Sequence, residues 1–218
     1  METPVLYIET RKKFNLDDID FSILDKLPGK TISIAATVQY LDIVPEVKKY
    51  LESKGKTVII KKGAFYDAHV LGCNSAAFDK NADTRVLITD GKFHAINNAI
   101  QLQKEIYVFT TRTLEKVGQE DLDAHKKKTM GKQTLFLASK TVGLIVSSKP
   151  GQNVKSIQAI KEKIKKLDKN VYVFEANNIN IAEFENFPEV KIWVNTACYG
   201  LARDNKKIVN LSDILEFL

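Results

Sequence analysis

The chain has only two thiols, and both arrive in the same way. One ends the run Val190-Lys191-Ile192-Trp193-Val194-Asn195-Thr196-Ala197-Cys198, and the other sits in His69-Val70-Leu71-Gly72-Cys73-Asn74. In each case an apolar stretch leads to a small residue just before the cysteine, and a small neighbour lets backbone or ligand approach the sulfur. Free cysteine is among the most buried residue types, so two inert core side chains are the simpler reading. The alternative is a pair of thiolates acting as soft ligands for iron or another soft metal. Two thiolates do not complete an iron–sulfur site, so a further ligand would come from another residue, another chain or a substrate.

A second candidate is Asp90-Gly91-Lys92-Phe93-His94, which follows the strand-like run Arg85 to Thr89. Gly91 permits a sharp turn. Asp90 can accept hydrogen bonds from a ligand amine or hydroxyl, and His94 can orient a ligand or carry a proton. The same spacing suits an acid capping a helix N-terminus, and spacing alone favours the cap. Thr37-Val38-Gln39 offers hydrogen bonds to a small polar ligand, or simply ends a strand. His69 and His125 carry no assignable role. Pro150-Gly151-Gln152 opens a helix where an anion can sit, but it lacks the lysine–serine ending of a phosphate loop.

The elements that must position these residues alternate. Strands are expected at Val5 to Ile8, Thr31 to Thr37, Thr57 to Ile60, Arg85 to Thr89, Ile106 to Phe109, Thr141 to Val146, Val171 to Phe174 and Val190 to Asn195. Helices are expected over Asp17 to Leu27, Leu41 to Lys54, Ile96 to Leu102, Gln119 to Lys140, Val154 to Leu167 and Ile179 to Phe187. Gly131, if it lies inside the long helix, costs about 1 kcal/mol against alanine. This rhythm predicts an α/β fold of two similar domains, each a mainly parallel sheet flanked by helices. The polar stretch Thr110 to Gly118 places the boundary, giving domains 1–112 with Cys73 and 113–218 with Cys198. In such folds functional residues gather at the carboxyl ends of strands, and Gln39, Cys73, Asp90 and Gly91 all stand after a strand.

A length of 218 residues and 44% hydrophobic content suffice for a real core. No apolar run approaches the ~18 residues of a membrane span, and Met1-Glu2-Thr3-Pro4 has no signal-peptide shape. Two widely separated cysteines fit neither a zinc ribbon nor a disulfide framework, so a cytoplasmic location is expected. The net charge of +6 favours anionic partners in general. The lysines are spread along helices, as at Lys126 to Lys128 and Lys161 to Lys166, and read as solvated faces. No direct nucleic-acid binding and no membrane association are expected.

Ala36-Thr37-Val38-Gln39-Tyr40, Val70-Leu71-Gly72-Cys73, Ile88-Thr89-Asp90-Gly91-Lys92-Phe93-His94 and Val194-Asn195-Thr196-Ala197-Cys198 occur in the order seen in one family. The chain resembles the diphthamide-biosynthesis 2-(3-amino-3-carboxypropyl)histidine synthases over nearly its whole length. The resemblance implies three related α/β domains, each giving one cysteine to a central [4Fe–4S] cluster. It also implies unconventional cleavage of S-adenosylmethionine, and addition of the released 3-amino-3-carboxypropyl radical to a histidine of elongation factor 2. Cys73 then matches the second-domain ligand and Cys198 the third-domain ligand. Asp90, Gly91 and His94 lie beside the S-adenosylmethionine pocket, with Gln39 in a pocket-side motif.

Two departures stand out. The first domain and its cysteine are missing, Val5 to Ile8 resembling only the lead-in to the second. The family's Cys-Pro-Arg is Cys198-Tyr199-Gly200 here, and its Arg-Gln-Gly loop reads Lys149-Pro150-Gly151-Gln152, which removes a bidentate carboxylate binder. One expected function is an enzyme subunit that holds a cluster with a third ligand from a partner chain or a non-cysteine residue, as a homodimer or as a heterodimer with another family member. Another is a non-catalytic accessory module that pairs with a full-length relative or with elongation factor 2. A third is an ordinary nucleotide-binding α/β protein with inert core cysteines.

Overall fold

The computed structural model describes Leu6, residues 8–149, Gln152, Val154, residues 156–203 and residues 205–218. The chain divides into two compact units, Met1–Asp123 and Ala124–Leu218. Of the expected first strand, Val5 and Tyr7 lie outside the described residues, while Leu6 and Ile8 are exposed and in no strand. Pro150 and Gly151 of the expected anion-binding turn also lie outside them.

The first unit runs β1 (Thr31–Ala36), α1 (Val44–Ser53), β2 (Thr57–Ile59), β3 (Thr84–Ile88), α2 (Lys92–Leu102), β4 (Ile106–Phe109) and β5 (Leu114–Val117). The sheet order is β2-β1-β3-β4-β5, parallel except where β5 returns against β4. β1 and β3 are buried on both faces, which explains their unbroken apolar runs. Successive side chains alternate between faces. Ile32, Ile34, Ala36, Val86 and Ile88 pack under Val44, Val47 and Leu51 of α1. Ala35, Leu87 and Val108 pack under Ala95, Ala99 and Leu102 of α2. Pro45 occupies the first turn of α1, where its missing N–H costs nothing.

Asp17 to Leu27 is not one helix. Two 3-10 turns, Leu16–Asp18 and Phe21–Lys26, are each started by a side chain: Asn15 accepts Asp17 N–H at 3.3 Å and Asp20 accepts Ser22 N–H at 3.1 Å. Each such local bond restarts the chain before an α-helix can propagate.

The expected boundary at 112/113 falls inside the first sheet. A hairpin closes through Thr110 N–H to the Thr113 carbonyl at 3.1 Å, with Thr111 at φ +75, and lays Val108 opposite Glu115 and Ile106 opposite Val117. Ion pairs Lys92–Glu115 and Lys116–Glu105, both at 2.9 Å, flank this edge strand. The division between the units falls instead within α3 (Gln119–Ala138). Gly131 lies inside that helix, and a Cβ there would meet open space.

The second unit continues with β6 (Thr141–Ser147), α4 (Ile157–Lys165), β7 (Asn170–Ala176), β8 (Ile192–Asn195) and β9 (Ile208–Asn210). Its order is β7-β6-β8-β9, parallel throughout. One face packs Val142, Leu144, Ile192, Val194 and Val209 against Phe136 and Ile164. The other is aromatic. Trp193 stacks on Phe184 with ring centroids 4.0 Å apart and meets Phe174 edge-on at 4.6 Å. The register partner of Trp193 is Gly143, where a Cβ would lie 2.6 and 2.9 Å from Cζ3 and Cδ2 of the indole. The glycine is what lets the ring lie flat across β6. The expected helix Ile179 to Phe187 is a 3-10 turn, Ile181–Asn186, started by the Asn180 side chain.

Both units are therefore α/β layers with mainly parallel sheets flanked by helices, as the sequence pattern predicts.

Candidate functional site

In the first unit the chain leaves β1 to one side for β2 and to the other for β3, so the carboxyl ends of β1 and β3 diverge at a switch point of the kind where ligands bind. Thr37 N–H donates to the Ile88 carbonyl at 3.1 Å, and Thr89 N–H to the Phe109 carbonyl at 3.2 Å. Their buried hydroxyls lie 3.4 Å apart. Asp90 comes next and is exposed, accepting only the Thr89 hydroxyl at 3.4 Å among the described residues. Its carboxylate caps no amide of α2. The cap residue is Gly91, whose φ of −177 is ordinary extended backbone. Gln39 is exposed in the 3-10 turn Val38–Ile43, and its carboxamide bonds to no described residue. His94, in the first turn of α2, is half-buried. Burial holds its pKa below the usual imidazole value, against the opposing charge of Asp90.

The Cys73 loop docks onto the same edge. β2 stops at Ile59, and the vacated place beside β1 is taken by Ala68 to Val70: Ala36 N–H donates to the Ala68 carbonyl at 2.8 Å, and Val70 N–H to the Ala36 carbonyl at 3.0 Å. Leu71 and Asn74 then exchange two backbone bonds of 3.2 Å around Cys73. α2 holds this turn from outside, since Asn98 Nδ2 donates to the Leu71 carbonyl at 3.0 Å and Gln101 Nε2 to the Gly72 carbonyl at 3.1 Å. Gly72 packs against the first turns of α2, where a Cβ would stand in ordinary contact with Phe93 Cε1 and Asn97 Nδ2 at 3.4 Å and with His94 Cδ2 at 3.7 Å. Cys73 is free and exposed, and opens on a cavity of about 670 Å³ whose walls include Lys61, Asp79, Lys80 and Gln101. Cys73, Asp90, Gly91 and His94 are thus brought to one edge, with Gln39 on the neighbouring turn. None of Gln39, Asp90, Gly91 and His94 lines that cavity.

In the second unit Cys198 is presented by a comparable device. Thr196 donates its hydroxyl and its N–H to the Ile145 carbonyl, at 2.7 and 3.2 Å, which ties the turn to β6. Asn195, 3% exposed, uses its whole carboxamide: Oδ1 accepts Ala197 N–H at 3.0 Å, and Nδ2 donates to the Cys198 carbonyl at 2.9 Å and to Asn210 Oδ1 at 2.7 Å. Cys198 itself is free and exposed. Beside it burial and the nearby Asp213 charge push the Tyr199 phenol up to about 12. Burial raises the Asp213 carboxyl and lowers His125, whose Nε2 lies 3.3 Å from the Thr129 hydroxyl.

Sequence reasoning missed the carboxamides Asn98, Gln101, Asn195 and Asn210, and the group Tyr199, Asp213 and His125. The only local signal was the pair Asn97-Asn98 on an otherwise apolar helix face, where Asn97 Nδ2 and Asn98 Oδ1 are sealed without a partner among the described residues. His69 is core: it is 3% exposed, stacked on Tyr66 with centroids 5.8 Å apart, and neither ring nitrogen has a partner among the described residues.

Both thiols are of the right chemical type for iron, and their exposure departs from the burial usual for inert cysteine. Among the described residues no group of three His, Cys, Asp or Glu is placed to hold a metal ion. Each thiol therefore suits a cluster in kind, and among the described residues neither stands with two further donors. No described helix is long and apolar enough to cross a membrane.

A family model described as "Putative diphthamide synthesis protein" matches residues 1–208. The chain is 26% identical over 181 residues to the 2-(3-amino-3-carboxypropyl)histidine synthase of Pyrococcus horikoshii, covering 81% of this chain and 52% of that protein. It is 27% identical over 217 residues to the synthase of that name from Methanocaldococcus jannaschii, covering 94% and 57%. Among solved structures, Dph2 from Pyrococcus horikoshii superposes with a TM-score of 0.80 at 24% identity, covering 89% of this chain and 59% of that one. The structure of that protein with a 4Fe-4S cluster superposes at 0.78, with 24% identity and coverage of 88% and 57%. The chain spans little more than half the length of these relatives.

Proposed function

The chain belongs to the diphthamide synthesis protein family, and from that premise we propose that it is a subunit for 3-amino-3-carboxypropyl transfer from S-adenosylmethionine to a histidine of elongation factor 2. The observation that carries this reading is the exposure of both free thiols at the carboxyl edges of parallel sheets. Support also comes from the cluster named for the Pyrococcus horikoshii structure of like fold. Cys73 and Cys198 hold a [4Fe–4S] cluster, and its third ligand comes from a non-cysteine residue or from a partner chain, a second copy or another family member. When bound, the cluster supplies the one-electron chemistry that cleaves the sulfonium.

The chain's own residues bind and orient. The Asp90 carboxylate, uncommitted to a helix cap, takes the substrate ammonium. Gly91 keeps backbone close without a side chain in the way. His94, kept neutral by its burial at neutral pH, offers one donor and one acceptor, and the Gln39 carboxamide bonds the substrate's polar end. The setting is cytoplasmic, with elongation factor 2 as the protein partner.

The incomplete donor set favours one second reading, a non-catalytic accessory module that pairs with a full-length relative or with elongation factor 2. Anaerobic purification followed by iron and sulfide analysis separates the two. The subunit reading expects a brown protein with broad absorbance near ~400 nm, typical of cysteine-ligated clusters, alone or with its partner, and loss of the colour in Cys73→Ala and Cys198→Ala. A chain that stays colourless after reconstitution with its partner overturns the cluster reading and leaves the accessory role.

A further inference from the structure

The amino-terminal edge of the first sheet, opposite the strand ends described above, carries a second polar feature. A cavity of about 520 Å³ opens at the start of β3 and β4, and its walls include Arg85, Lys80, Lys104, Asp83, Glu105 and Tyr107. Arg85 projects from β3 and is only 6% exposed. Its Nη2 donates to the Lys80 carbonyl at 2.6 Å and to the Ala82 carbonyl at 2.9 Å. Its Nε is sealed without a partner, and Nη1 meets no acceptor among the described residues yet is not sealed from solvent. Arginine is almost never buried to this degree unless it is paired with an anion, and no carboxylate among the described residues forms an ion pair with it. Asp79 supports its charge only through space, and is itself 3.8 Å from Lys61.

The two carboxylates in the cavity wall are already engaged. Asp83 accepts the N–H groups of Lys30 and Thr31, both at 2.8 Å, and Glu105 pairs with Lys116 at 2.9 Å. Lys80 and Lys104 have no ion-pair partner among the described residues. Three cations thus face one cavity, none of them ion-paired among the described residues, while Asp83 there is held by neutral amides and Glu105 by Lys116. With Nη2 held by two carbonyls and Nε sealed, Nη1 is the guanidinium nitrogen left to face the cavity, and beside two lysine point charges it suits a tetrahedral oxyanion. The volume falls within the range of small-molecule sites.

From these observations we propose that the cavity at Arg85, Lys80 and Lys104 binds a phosphate group, either free or carried by a small molecule. It adjoins the Cys73 cavity through Lys80, which lines both, but contains neither thiol, and the proposal does not depend on the iron–sulfur reading.

The test reads the thermal midpoint of the full chain in sodium phosphate and in sodium chloride at matched ionic strength. A ligand that binds only the folded chain raises the midpoint, and the expected rise is roughly 3–6 °C at a phosphate concentration about tenfold above Kd. The rise disappears in the exposed double variant K80A/K104A and weakens in R85K, which keeps the charge but loses the Nη1 donor. Equal midpoints in the two salts, or an unchanged phosphate response in K80A/K104A, overturn the proposal. Adenosine monophosphate forms the second arm: tighter binding than inorganic phosphate identifies a phosphorylated small molecule, and equal or weaker binding identifies free phosphate.

Discussion

At Cys198 the sulfur is exposed, but the backbone that carries it is tied by one buried carboxamide. Asn195→Ala removes three bonds at once and leaves the buried Asn210 Oδ1 without its donor, while the Cys198 carbonyl keeps only the Leu201 N–H at 3.0 Å. Each buried polar group stranded in this way costs about 1–3 kcal/mol. The variant is expected to lose about 2 kcal/mol in urea unfolding and to retain less iron per chain after anaerobic reconstitution. Nearby, Asp213 and His125 set opposite pH dependences. Burial raises Asp213 above its reference of 3.8, so the stability it contributes is complete below that value and is lost as pH rises through its folded pKa. Burial lowers His125 below 6.5, so its contribution is present above that value and lost as pH falls through its folded pKa. Asp213→Asn therefore gains on the wild type as pH rises from acid to neutral. It also lowers His125 further, because the Asp213 charge now holds the imidazolium up, and a proton NMR titration of His125 reads that displacement. The two cysteines and Asp90 were legible as candidates because strand, small residue and polar residue follow one another in sequence. Asn195, Asn98 and Gln101 were not, because the carbonyls they tie are chosen by the fold and carry no local signature.

Among the elements, the pairing of β6 with β8 depends on one absent side chain. Gly143→Ala would press a methyl group into the indole of Trp193, which is 1% exposed and enclosed by three phenylalanines. Overpacking of this kind costs about 1–3 kcal/mol. Chemical denaturation of Gly143→Ala should show a loss in that range, with Trp193→Phe in the same chain recovering part of it. The buried parallel strands were legible because a strand covered on both faces must be apolar at every position. β5 was not, since Glu115 and Lys116 face solvent from an edge strand and only Val117 is fully buried. Asp17 to Leu27 and Ile179 to Phe187 carried helical spacing, yet side chains of Asn15, Asp20 and Asn180 cut them into 3-10 turns.

On the scale of the molecule, each unit owns its cores: two apolar clusters lie on either side of the first sheet and two on either side of the second. Units with separate cores need not melt together. Scanning calorimetry of the full chain is expected to give a van't Hoff enthalpy below the calorimetric one, with Gly143→Ala lowering only one of the two component transitions. The two-unit plan was legible from the repeated rhythm, whereas the boundary was not, because a hairpin carries the polar stretch back into the first sheet. Trp193 is the chain's single tryptophan, and it lies on the strand that runs into the Cys198 turn. Its emission comes from one ring-stacked indole and is free of interference from any other. A chromophore seated on the neighbouring sulfur would drain that light by energy transfer, so the chain should glow when empty, dim as it fills and brighten again under a chelator. Occupancy at this one thiol can then be followed in a cuvette without a label.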